Sequence, residues 1–254
     1  MLIDGKKIAE EIKNSLREEI LKFGKKLKLA IVQVGDNSVS KKFIEKKVKF
    51  AEKIGVETEL FNLPAEISTE ELRKKITEIC FAKENNGVIL QLPLPKQIDT
   101  QCVLDAIPAN KDIDVLSSNK NKILPPLVGV IKTIFEKYNI EPVGKNIVVI
   151  GRGILVGKPI ANWLIDEGVT VSVLNSKTIN PSDYTLMADI IISGVGKPDL
   201  IKSDMVKEGV IIIDVAGDVE PAVAEKASLF TPILGGVGPI TVAMLFKNLV
   251  ELNK

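Results

Sequence analysis

The sequence predicts an α/β protein of two domains, built on parallel sheets with a cleft between the domains. Three observations predict it. Short apolar runs alternate with amphipathic stretches, a polar, proline-bearing segment from Pro108 to Pro126 interrupts them, and a glycine-rich turn at 151–157 joins a strand pattern to a helical one. Strands that alternate with helices wind into βαβ units, because parallel neighbours need a long crossover and a helix supplies it.

The elements follow in order from periodicity. Apolar residues at helical spacing cover about 6–23, where Ile8, Ile12, Leu16, Ile20 and Leu21 form one stripe, and then about 40–54, 69–83, 129–138, 157–167 and 239–252. Strand-like runs are Leu29–Val34, Val88–Leu92, Ile147–Ile150, Val169–Leu174, Ile190–Ser193 and Val210–Val215. The break at 108–126 contains Ser117, Ser118 and an Asn-Lys repeat, and a second sheet begins near Ile147.

Composition narrows the chemistry. The 254 residues are 45% hydrophobic, enough for a sizeable core. Lys+Arg is 34 against Asp+Glu at 33, so no net field draws the chain to nucleic acid or a membrane surface. There is no histidine, which excludes a Ser-His-Asp triad, a Cys-His pair, a His general base and every His-ligated metal. Acid–base work falls to Lys, Asp, Glu, Tyr or Cys, and nothing calls for a metal. Cys80 and Cys102 form no Cys-x-x-Cys pair, so a reducing, cytoplasmic setting is expected. The charged N-terminal segment is unlike a targeting peptide, and no apolar run reaches the ~18 residues of a membrane span.

Lys47 is the most informative side chain. At about 100° per residue, Lys42, Glu45, Lys46, Lys49, Glu52 and Lys53 share a polar arc, whereas Phe43, Ile44, Val48, Phe50, Ala51 and Ile54 fill the opposite one. Lys47 falls in the middle of the apolar arc, one turn after Phe43. Two readings stand: a desolvated amine tuned to act as a base near neutrality, or a stem that snorkels to water. Gln91 is the one polar side chain in the apolar run that Pro93 and Pro95 stop, where parallel strands deliver residues to a crevice. Its amide suits a heterocycle that both donates and accepts, or it satisfies a nearby loop. Asp112 and Asp114 follow, and either pairs with an amino-bearing ligand or stabilises a turn.

In the second half, Asn146–Ile150 runs into Gly151-Arg-Gly-Ile-Leu-Val-Gly157, with Pro159 opening a helix. Strand, glycine turn and helix N-terminus form the setting in which backbone N–H groups hold a pyrophosphate, and a ligand-free tight turn is the other reading. An NAD site places a carboxylate about 20 residues further on. Here the next strand ends in Asn175-Ser-Lys-Thr178, so a hydroxyl and a cation, with Arg152, favour the 2′-phosphate of NADP, unless both are solvated surface charges. NAD is the second choice. Gly235-Gly-Val-Gly-Pro239 precedes the last helix, either as a close ligand approach or as a sharp turn.

Taken together these residues resemble the bifunctional methylenetetrahydrofolate dehydrogenase/cyclohydrolase family over nearly the whole chain. The resemblance is carried by Leu2-Ile-Asp-Gly-Lys6, Val34-Gly-Asp-Asn37, Ser40 with the Lys47 helix, Gln91-Leu-Pro-Leu-Pro95, Lys111-Asp-Ile-Asp114 and Gly151-Arg152. It continues in Val156-Gly-Lys-Pro159, Ser176-Lys-Thr178, Gly196-Lys-Pro198 and Gly235-Gly-Val-Gly-Pro239. It implies a homodimer, with an N-terminal α/β catalytic and folate domain over 1–120 plus 239–254 and a Rossmann-like NADP domain over 121–238. It implies oxidation of 5,10-methylenetetrahydrofolate to the methenyl form, then hydrolysis to 10-formyltetrahydrofolate, in the one-carbon metabolism that feeds purine biosynthesis. Lys47 matches the catalytic lysine, Gln91 its partner and Asp114 the pterin-binding aspartate. Phe43, Leu92, Pro93, Gly238 and Pro239 match folate-lining positions. Gly151, Arg152, Gly153, Val156, Gly157, Ser176, Lys177 and Gly196 match cofactor positions, with Arg152 and Ser176 at the 2′-phosphate.

Several positions depart from the family pattern. Phe43 replaces a tyrosine, Val115 and Leu116 replace Gly-Phe after Asp114, Pro125–Val128 replaces Pro-Cys-Thr-Pro, Gly153 replaces a serine and Leu234 a proline. The segment 216–219 is shortened. Because valine disfavours the positive φ open to glycine, a changed backbone is expected at Val115. Both reactions are expected, hydrolysis being the one exposed to loss of the tyrosine hydroxyl. The competing readings are a catalytically silent folate- or nucleotide-binding regulator and a shikimate-type NADP dehydrogenase.

Overall fold

A computed structural model describes residues 1–24 and 26–254. The first half of the chain contains α1 (Gly5–Lys22), β1 (Lys28–Val34), α2 (Ser38–Ile54), β2 (Glu57–Leu63), α3 (Thr69–Phe81), β3 (Gly87–Leu90) and α4 (Thr100–Leu104). The second half contains α5 (Pro126–Lys137), β4 (Ile147–Ile150), α6 (Gly157–Asp166), β5 (Val171–Leu174), α7 (Pro181–Thr185) and β6 (Ile190–Ser193). It ends with β7 (Ile211–Asp214), α8 (Val223–Lys226), β8 (Leu229–Phe230) and α9 (Val237–Glu251). Two compact units result, one of residues 9–126 and 242–254, the other of residues 1–8 and 127–241.

The unit of residues 9–126 and 242–254 has a three-stranded parallel sheet in the order β2-β1-β3. β1 is its centre, and the alternation of a strand sorts its side chains to two faces. Leu29 and Ile31 join Leu16 of α1, Ile44 and Ile54 of α2, and Phe246 and Leu249 of α9 in one core. Ala30, Val32 and Val34 join Leu72 and Ile76 of α3 and Leu104 of α4 in another. β2 escaped the sequence reading. It is an edge strand whose Glu57, Glu59 and Asn62 interrupt the apolar run, paired in parallel with β1 from Lys28 opposite Glu57 to Val34 opposite Leu63, with Phe61 and Leu63 packed against the core.

The unit of residues 1–8 and 127–241 has a five-stranded parallel sheet in the order β5-β4-β6-β7-β8. The chain steps from β4 outward to β5, then returns past β4 to β6, so the winding direction reverses beside β4. Ligands of open α/β sheets bind in the crevice beyond the strand C-termini at that reversal. The N-terminal residues extend the far edge: Ile3 N–H donates to Phe230 O at 2.8 Å and Phe230 N–H to Met1 O at 3.0 Å. Among the described residues, no helix is long and apolar enough to cross a membrane.

Candidate functional site

The first group of site residues lies in the unit of residues 9–126 and 242–254. α2 is held at both ends: Asn37 Oδ1 accepts from the N–H groups of Val39 and Ser40 at 3.0 Å, and Gly55 closes it at φ 77°. Its buried stripe is Ser40, Ile44, Lys47, Ala51 and Ile54, a 4-3-4-3 spacing with Lys47 at the middle. That stripe is narrower than the apolar arc read from the sequence. Phe43 lies outside it, 48% exposed, with the Lys46 ammonium 5.4 Å from its ring centroid.

Lys47 does not snorkel. It is only 8% exposed, and its Nζ donates to Gln91 Oε1 at 2.9 Å. Gln91 follows β3 directly; its backbone N–H donates to Val32 O at 2.8 Å, and its Nε2 to Leu92 O at 2.7 Å. The side-chain oxygen is thereby turned to the lysine. Leu92 and Pro93 continue from it, Leu92 partly buried and Pro93 exposed.

The two aspartates separate into different tasks. Asp112 is buried, and its carboxylate accepts from the N–H groups of Val115, Leu116 and Ser117 at 2.8, 3.0 and 2.9 Å. It shapes the loop. Asp114 is the member that acts on Lys47: burial pushes its carboxyl up to about 6, with the lysine pulling it down and Asp112 pushing it further up. Burial in turn lowers the Lys47 pKa, against the opposing pull of Asp114. Asn248 of α9 fixes the neighbouring backbone, donating from Nδ2 to Ile113 O at 2.9 Å and Leu124 O at 3.0 Å. The expectation of a changed backbone at Val115 is overturned. Val115 holds φ 56°, the left-handed region, because the three N–H bonds to Asp112 impose the turn.

The second group lies in the unit of residues 1–8 and 127–241, at the C-terminal ends of β4, β5 and β6. A cavity of about 520 Å³ is lined there by Gly151, Arg152, Asn175, Ser176, Lys177, Thr178, Val195 and Lys197, with apolar walls from Ile150, Leu174, Pro181, Leu200 and Met205. Arg152, Lys177 and Lys197 bring three cations, and the described lining has no carboxylate. The 175–178 turn is self-bonded: Asn175 Oδ1 accepts from Lys177 N–H at 2.9 Å, and Thr178 Oγ1 from Asn175 N–H at 3.0 Å. Ser176 and Lys177 are thus presented on a fixed corner. Beside the cavity, α6 begins without a side-chain cap. A Cβ at Gly157 would stand 1.9 Å from Gly151 O, so glycine is required for the helix to meet the turn. Cations, an uncapped helix start and apolar walls fit a phosphorylated adenine nucleotide.

Of the sequence-predicted cofactor residues, Gly151, Arg152, Ser176 and Lys177 line this cavity, while Gly153, Val156 and Gly196 lie in the connecting segments next to its lining residues and Gly157 opens α6. Lys197 was missed as a lining residue, although the Gly196-Lys-Pro198 motif contained it. Gly238 and Pro239 lie in the first turn of α9. Among the described residues, no cluster of three His, Cys, Asp or Glu forms a metal site.

The fold and these groups define a parallel-sheet α/β protein with a nucleotide-type crevice and a buried lysine that acts with a part-buried glutamine and aspartate. Two family models divide the chain between them: the catalytic domain of tetrahydrofolate dehydrogenase/cyclohydrolase matches residues 3–114, and the NAD(P)-binding domain of the same family matches residues 126–254. The chain belongs to the tetrahydrofolate dehydrogenase/cyclohydrolase family. It is 41% identical to the bifunctional protein FolD 2 of Lactobacillus johnsonii, over 100% of this chain and 97% of that protein. It superposes with a TM-score of 0.94 and 35% identity on the bifunctional FolD methylenetetrahydrofolate dehydrogenase/cyclohydrolase of Campylobacter jejuni, covering 100% of this chain and 98% of that one. The Trypanosoma brucei enzyme, solved with NADP cofactor and an inhibitor, gives a TM-score of 0.93 at 29% identity, covering 100% and 97%.

Proposed function

We propose that the protein oxidises 5,10-methylenetetrahydrofolate to the 5,10-methenyl form with NADP⁺ and hydrolyses that product to 10-formyltetrahydrofolate. The observation that carries this reading is the buried Lys47 side-chain nitrogen bonded to the Gln91 amide, its pKa lowered by burial against the opposing pull of Asp114. Bound NADP⁺ supplies the hydride acceptor. Loss of hydride from the methylene carbon leaves an amidinium-like cation between two nitrogens, so that step needs alignment more than a base. Hydrolysis adds water to that carbon, removes a proton and opens the ring. A lysine whose pKa is lowered by burial takes the proton from water, and Gln91 fixes the amine. Asp114 holds the pterin, and Phe43, Leu92, Pro93, Gly238 and Pro239 line the folate.

The nucleotide belongs to the unit of residues 1–8 and 127–241, with Arg152 and Ser176 on the 2′-phosphate and Lys177 beside them. Three cations and no lining carboxylate favour NADP over NAD. The folate part is the unit of residues 9–126 and 242–254, since Met1 and Ile3 pair with β8 of the nucleotide unit. The enzyme works as a homodimer in the cytoplasm, in keeping with two cysteines left unpaired. The binding-only reading drew on Val115 and the short 216–219 segment. Val115 keeps the left-handed turn, and 216–219 forms a closed, hydrogen-bonded loop, so neither speaks for a collapsed site.

The test is methenyltetrahydrofolate formation with NADP⁺ and NAD⁺ in parallel, and hydrolysis of methenyltetrahydrofolate, on wild type and Lys47→Met. Turnover preferring NADP⁺, with oxidation surviving the substitution and hydrolysis lost, is expected. Turnover by neither nucleotide overturns the enzyme reading, and unchanged hydrolysis in the variant overturns the role of Lys47.

A further inference from the structure

The end of β7 and the loop after it carry two buried carboxylates that the reaction leaves without a task. Asp214 closes its own loop: Oδ1 accepts from the N–H groups of Ala216, Gly217 and Asp218 at 3.1, 2.8 and 3.0 Å, and Oδ2 from Val219 at 3.1 Å. That loop turns Asp218 inward, where it is 0% exposed. Asp218 reaches across to the loop that follows β6. Its Oδ2 accepts from the Ser193 hydroxyl at 2.5 Å and from Val195 N–H at 2.7 Å, and its Oδ1 accepts from Lys197 N–H at 2.7 Å. Val195 and Lys197 are walls of the nucleotide cavity. The same loop is pinned from the side, since a Cβ at Gly194 would stand 2.3 Å from Val156 Cγ1.

We infer that Asp218 is a positioning residue for the nucleotide, fixing the Val195–Lys197 wall and through it the third cation of the cavity. This rests on the nucleotide reading of that cavity. The geometry favours positioning over plain stability. Two of the three donors, Val195 and Lys197, come from one short loop and face the carboxylate with their N–H groups while lining the cavity, and the third, the Ser193 hydroxyl, ends the strand that delivers that loop. Short bonds to a carboxylate are about twice as strong as neutral ones, so one side chain holds a segment that has no regular secondary structure of its own. It touches no reacting atom, so it acts on binding of the nucleotide and not on hydride transfer.

The experiment titrates NADP⁺, and separately NAD⁺, into wild type, Asp218→Asn and Ser193→Ala by calorimetry, and measures steady-state oxidation at saturating folate. Wild type is expected to bind NADP⁺. Asp218→Asn is expected to raise the Kd and KM for NADP⁺ by roughly tenfold or more, and Ser193→Ala by about threefold. The kcat at saturating NADP⁺ and the KM for methylenetetrahydrofolate should stay within about twofold of wild type. A folded Asp218→Asn with an unchanged Kd, or with kcat falling while KM holds, overturns the inference. Should Asp218→Asn fail to fold, Ser193→Ala decides, and an unaltered Kd there overturns it equally. Wild type that binds neither nucleotide fails at an earlier point, because it overturns the functional reading of the cavity itself.

Discussion

Val115 is a β-branched residue in the left-handed region, at φ 56°. A non-glycine residue there costs about 1–2 kcal/mol, and the branch at Cβ adds crowding. Glycine at this position would relieve that cost and give back about 0.5–1 kcal/mol in chain entropy. Val115→Gly is therefore expected to stabilise the protein by about 1 kcal/mol, seen as a melting temperature about 2–4 °C higher. A lower melting temperature would mean that the packing of the valine side chain outweighs its strain. Legibility at this scale was uneven. Lys47 could be found because a charge at the centre of an apolar helical arc contradicts its neighbours. Phe43 was misplaced by the same argument, since an arc drawn from periodicity is wider than the stripe that a neighbouring layer covers. Asp112 and Asp114 have identical local signals apart from the family resemblance, and the three N–H bonds to Asp112 and the charge interaction of Asp114 with Lys47 tell them apart in the folded loop. Asp218 had no signal at all, because its partners lie 21–25 residues away in the chain.

At the scale of elements, α4, α7 and α8 are too short, at four or five residues, to show a period, whereas the long helices and the most apolar strands were readable because each has a buried stripe or a continuous apolar run. β2 and the N-terminal addition to β8 were not, because an edge strand is defined by its neighbour's unpaired groups. α2 is the element on which the lysine depends, and its start rests on one side chain. Asn37 accepts two N–H bonds that the helix leaves open. Asn37→Ala is expected to cost about 1 kcal/mol in a denaturant titration. Asn37→Asp or Asn37→Ser should cost little. An alanine variant as stable as wild type would mean that tertiary packing alone sets where α2 begins.

For the whole molecule, the division into two units assigns each part of the reaction its own core, one with a three-stranded sheet and one with a five-stranded sheet. The chain has one tryptophan and two tyrosines. Trp163 stands on α6, donating to Glu167 at 3.0 Å and packed 6.1 Å from the Phe135 ring. Tyr138 and Tyr184 fall in the same unit of residues 1–8 and 127–241, and the other unit has phenylalanine as its only aromatic residue. Tryptophan and tyrosine signals therefore come from one unit alone. Unfolding followed by tryptophan emission reads the nucleotide half alone, whereas far-ultraviolet dichroism reads every helix in both. Coincident curves would make the chain a single cooperative body, and a separation between them would give the stability of each half from one unlabelled sample.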